Sequence, residues 1–71
     1  MNPADEMLMW TRHALHHRRL FWFYRAWAAE GYKPRRCAGD CRWHRTNAWA
    51  AIRRARQAQA RITTQAERIA A

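Results

Sequence analysis

Cys37-x-x-x-Cys41 and His13-x-x-x-His17 together supply the donors of a two-cysteine, two-histidine zinc site. His44 follows Cys41 closely, and His16 adds another imidazole. A structural metal would suit so short a chain, because metal binding adds folding free energy where the core is small. The expected layout works against it. A bend between two helices puts Cys41 beside the end of the first helix, and His17 then lies about 20 Å back along that helix at the usual rise. Only His44 is local to the cysteines. The expectation is no metal and no cofactor, with Cys37 and Cys41 as small apolar side chains at the bend.

Other reactive sets are thinner still. There is no serine, histidine and carboxylate combination, no glycine-rich phosphate loop and no pair of acids placed for general acid–base work. Asp5 and Glu6 suit a helix N-terminus, Glu30 a helix end and Asp40 a cap. Cys41 near a helix start, with Arg42 and His44, has only a weak case for a lowered thiol pKa. The chain is expected not to be an enzyme.

The strongest chemistry is cationic. Net charge is +9, and 13 of the 14 basic residues are Arg. A GC-rich genome favours Arg over Lys, but it does not explain why so few acids balance the bases. The imbalance implies an anionic partner or strong self-repulsion. The charge is concentrated: residues 1–11 carry −2, residues 12–56 carry +10 and residues 57–71 carry +1. Arg42, Arg45, Trp49, Arg53 and Arg56 fall on one stripe of a helix, and Arg35 and Arg36 extend it through the preceding turn. Arg54, Arg61 and Arg68 form a sparser row on the other flank. Guanidinium groups match phosphate geometry, and Trp49 or Trp43 among them would stack on a base or sugar. A single helix fits the major groove of DNA. Nucleic-acid binding, to DNA rather than RNA, is therefore the first functional expectation, at Arg35, Arg36, Arg42, Arg45, Trp49, Arg53 and Arg56.

The second expectation is a protein-interaction adaptor or inhibitor that docks on an acidic partner. Leu15, Arg18, Arg19 and Trp22 would form its patch, since aromatic residues and Arg dominate such contacts. A membrane-surface role for RRLFWFYRAW ranks third, because the arginines are not confined to one face.

These side chains need elements to hold them. Asn2-Pro3-Ala4-Asp5-Glu6 opens a helix: Asn caps, Pro suits the first position and acids suit the positive end. Nothing breaks the pattern until Gly31, a natural residue just past a helix end. The first helix is expected over about residues 3–30, the turn over 31–40 and a second helix over about 41–69, capped by Asp40. The first helix carries one apolar stripe of Met7, Trp10, Ala14, His17, Phe21, Tyr24 and Ala28. A second stripe beside it holds Met9, His13, His16, Leu20, Phe23 and Trp27. In the second helix Ala48, Ile52, Ala55, Gln59, Ile62, Ala66 and Ile69 recur at a heptad spacing and predict the seam.

The fold class is thus all-α: one domain over residues 1–71, a two-helix antiparallel hairpin. Leu20 to Tyr24 step through more than a full turn, so one helix cannot cover them all. Self-association into a homodimeric four-helix assembly is expected. Two cysteines are too few for a disulfide framework. The start MNPADEM lacks the basic region of a signal peptide, and no apolar run approaches a membrane span. A cytoplasmic accessory protein of a plasmid, phage or bacterial chromosome fits this size and composition.

Overall fold

The computed structural model describes residues 1–71. Helix α1 spans Pro3–Ala29 and helix α2 spans Pro34–Ala70. They lie side by side as an antiparallel hairpin, a rod of 58 × 15 × 13 Å. Neither helix is long and apolar enough to cross a membrane.

The ends of α1 follow local chemistry. The Asn2 side chain accepts a hydrogen bond from the Asp5 amide at 2.9 Å, and Pro3 occupies the first turn. At the other end the Tyr32 amide donates to the Trp27 carbonyl and the Gly31 amide to the Ala28 carbonyl, both at 3.1 Å. This is a Schellman closure, which needs a left-handed residue after the cap. Gly31 supplies it with φ at +85°.

The connection is shorter than the sequence predicts. Residues 31–40 are not a ten-residue turn: α2 begins at Pro34. Pro34 does not forbid a helix here but opens one, because its missing N–H is unpaired at that position in any helix. Lys33 precedes it in a left-handed conformation, with φ at 40° and no side-chain cap. Gly39 lies inside α2, where nothing stands within 4 Å of the place a Cβ would take. A mid-helix glycine costs only about 1 kcal/mol relative to Ala. Asp40 is therefore a residue of α2 and not its cap.

That early start moves α2 along α1. The side chains packed against α1 are Cys37, His44, Ala51 and Ala58, all buried and spaced by heptads. Cys41, Ala48, Ala55 and Ile62 flank them, half-buried. The predicted seam shares Ala48, Ala55 and Ile62 with this face. Of its other members, Ile52 and Gln59 sit at the edge of this face, while Ala66 and Ile69 are exposed because α2, with 37 residues against 27, runs past the end of α1. The identity of the closest row follows from volume. The inner stripe of α1 brings Trp10, Phe21 and Tyr24, so α2 answers with small residues where the helices approach most closely.

On α1 the first predicted stripe faces α2: every member is buried or half-buried. The second is mostly open, with His13, His16, Phe23 and Trp27 exposed. The aromatic run accordingly divides. Phe21 and Tyr24 point inward, Leu20 is half-buried, and Trp22 and Phe23 are exposed. Phe23, Trp27 and Tyr32 cluster near the bend, with successive ring centroids at 4.4 and 4.9 Å. No large side chain is fully buried anywhere.

Candidate nucleic-acid interface

All 13 arginines are exposed. One ion pair is present, between Arg61 and Glu6. The other 12 guanidinium groups have no carboxylate partner, so the basic charge predicted from composition stands uncompensated on the surface.

Arg42, Arg45, Trp49, Arg53 and Arg56 occupy the side of α2 that points away from α1. They straddle its crest. Arg45, Trp49 and Arg56 lean toward one flank of the rod. Arg53 leans toward the other, in a hollow with Glu6, Trp10, Arg54, Gln57 and Arg61. There the Arg54 guanidinium stacks on Trp10 at 4.6 Å from the ring centroid. Arg35 and Arg36 lie in the first turn of α2 and not in a loop. That turn holds no acidic residue, so both arginines add to the positive end of the helix dipole. From Arg36 to Arg56 the face runs about 30 Å at the helical rise.

The two tryptophans of α2 differ. Trp43 packs edge-on against His17 and His44, with centroids at 5.5 and 4.9 Å. Trp49 makes no such ring contact and lies among the arginines; both tryptophans are open to solvent, Trp43 at 59% and Trp49 at 52%.

Leu15, Arg18 and Trp22, predicted as a separate protein-docking patch, line the same groove as Arg45, Trp49 and Arg56. Arg19 does not line it. The helix hairpin thus joins two residue sets that the linear sequence keeps apart. Trp22 is partly covered by Arg25, whose guanidinium lies 5.1 Å from its ring.

The sequence missed one feature altogether. His17 and His44 meet between the helices, with their Nδ1 atoms 2.8 Å apart. The ring of Tyr24 stacks on His44 at an interplanar angle of 4°. His17 was expected far from the second helix's start; the short connection brings α2 back along α1 and removes that separation. Cys41 approaches the Phe21 carbonyl at 3.5 Å, one helical turn from His17. Even so, no three His, Cys, Asp or Glu side chains are grouped to hold a metal ion. Cys37 and Cys41 are free thiols.

One imidazole of the pair must donate its Nδ1–H to the bare Nδ1 of the other. A second proton at that contact would set two N–H groups against each other. Burial is the largest cause that lowers the His17 pKa below its ordinary value, followed by His44, His16 and His13. Burial likewise lowers that of His44, which Asp40 partly opposes and His16 reinforces. The unfolded chain therefore takes up protons first as pH falls through about 6.5. Stability is present above that value and is lost below it. Thermal melts should show a lower midpoint at pH 5.5 than at pH 7.5. The drop should shrink in a His17→Leu/His44→Leu variant; an equal drop there would place the proton linkage elsewhere.

The chain matches no protein-family model, no curated protein and no solved structure.

Proposed function

We propose that this protein is a non-enzymatic accessory protein that binds nucleic acid through the outer face of α2. Arg35, Arg36, Arg42, Arg45, Arg53 and Arg56 contact phosphates, and Trp49 stacks on a base or sugar. The observation that carries this reading is the set of 12 exposed arginines without a carboxylate partner on so thin a rod. A surface of that kind strongly attracts a polyanion and releases its counterions on binding. DNA is favoured over RNA, because the B-form major groove admits a helix and the deep, narrow A-form groove does not.

Self-association through the outer stripe of α1 completes the proposal. Phe23 and Trp27 are exposed there, and their burial against a second copy gives a four-helix assembly with both α2 faces open.

Titration of a mixed-sequence DNA duplex at about 50 and 200 mM salt tests the reading. Six phosphate contacts should weaken binding by roughly a thousandfold across that range. No binding at the lower salt, by folded protein, would remove nucleic acid as the partner.

A further inference from the structure

One flank of the hairpin is a trough with two walls. α1 contributes Leu15 and Trp22, and α2 contributes Trp49 and Ile52; the volume between them is about 580 Å³. Leu15, Trp22 and Trp49 are 47, 53 and 52% exposed, so the apolar walls are open to solvent. Ala14, Ala48 and Ala55 lie at its base, where the small side chains allow a backbone to approach closely. From Met7 to Trp22 the trough runs about 22 Å, four helical turns. With only two helices present, its third side has no protein wall.

The rim has one sign of charge. Arg18 stands on the α1 wall and Arg45 and Arg56 on the α2 wall, and no acidic residue lines the trough. A second copy of this chain, itself at +9, would bring more positive charge to that rim. A purely apolar partner would leave three guanidinium groups unpaired as it buried them, which is costly.

We infer that this trough is a docking groove for an acidic amphipathic helix of a partner protein, which completes a three-helix bundle. The apolar face of that helix packs on Leu15, Trp22, Trp49 and Ile52, and carboxylates along its edges pair with Arg18, Arg45 and Arg56. Helices commonly bind grooves in this way, through anchors one turn apart. Arg45 and Arg56 are eleven positions apart, so the partner carries acids about three turns apart on one edge. The groove stands independently of nucleic-acid binding. Because Arg45, Trp49 and Arg56 belong to both surfaces, an occupied groove competes with DNA.

The test uses the full chain and a fluorescein-labelled synthetic helix of about 18 residues, long enough to fill the trough. One face carries Leu and both edges carry Glu; a control peptide carries Lys in place of every Glu. Anisotropy at about 150 mM salt, near the physiological value, should show binding of the acidic peptide and none of the basic one. Leu15→Glu, at an exposed position on the α1 wall, should weaken that binding by about tenfold or more, the equivalent of one buried anchor. The same variant keeps every DNA-contact arginine and lowers the net charge by only one, so it should weaken DNA binding much less than peptide binding, which separates failure of the groove from failure of the DNA reading. Arg45→Glu/Arg56→Glu should abolish peptide binding. The inference is overturned if folded protein does not bind the acidic peptide, if both peptides bind equally, or if Leu15→Glu has no effect. It is also overturned if Leu15→Glu dissociates a dimer, which would assign the groove to a second copy. Binding to phosphatidylglycerol vesicles that Leu15→Glu abolishes, without peptide binding, would assign it to a membrane surface.

Discussion

Arg45→Glu combined with Arg53→Glu is expected to abolish DNA binding and leave the helices intact. Both side chains are exposed, and neither pairs with a carboxylate, so nothing in the fold depends on them. Exposed substitutions of this kind change stability by about 0.5 kcal/mol or less, and Glu is a good helix former. Binding is another matter. Each lost charged hydrogen bond to phosphate is worth about 1.5 kcal/mol or more. Two of them amount to roughly a hundredfold. Reversal then adds repulsion where attraction stood. The salt slope should also fall by about two, because two fewer counterions are released.

The control is Arg12→Glu/Arg19→Glu, which makes the same change in net charge on the exposed side of α1. It should weaken binding only through the overall field, and so by much less. Circular dichroism at 222 nm checks that each variant folds, and fluorescence anisotropy at about 50 mM salt reads affinity. Equal losses in the two variants would mean that binding follows net charge and that the α2 stripe is not the contact surface.

Ala51→Asp should unfold the protein. Ala51 is 3% exposed, in the heptad row of Cys37, His44 and Ala58 where the helices approach most closely. A carboxylate there has no cationic partner in the row and loses its water, a cost of several kcal/mol. The whole stability of a small domain is about 5 kcal/mol or little more. Most of the helical signal should therefore vanish at 25 °C. Gln59→Asp provides the contrast. Gln59 belongs to the seam that heptad spacing predicts, yet it is exposed, so its substitution should change the melting temperature by only a few degrees. A folded Ala51→Asp with an unfolded Gln59→Asp would mean that α2 packs in the register predicted from its isoleucines.

Those isoleucines show why the register was hard to read. Ile52, Ile62 and Ile69 lie on one heptad pattern, and large apolar residues ordinarily mark the buried side. Here Ile52 is only half-buried at the edge and Ile69, 81% exposed, lies beyond the end of α1, while Ala58 is completely buried. Alanine is frequent around α2, so its own row carries no periodic signal. What selects it is the bulk on the opposite helix, and no pattern within α2 contains that information. The α1 stripe from Met7 to Ala28 was legible because its aromatic side chains differ sharply from their neighbours. Pro34 and Gly39 fall inside α2 and not in a turn over 31–40. Both ordinarily break helices, and both are accommodated in α2 at little cost because of where they fall.

By itself the sequence determined what depends on neighbours within a few residues, and what depends on totals. Asn2 and Gly31 set the ends of α1 through local hydrogen bonds and one left-handed residue. The excess of Arg over acid set the surface charge wherever the side chains went. Only tertiary structure decided the length of the bend, the face of α2 that is buried, the His17–His44 contact and the joining of Leu15 and Trp22 with Trp49 across one groove. Each of these is a relation between helices, fixed by how the large side chains of α1 fit the small ones of α2, and sequence spacing within either helix does not encode it.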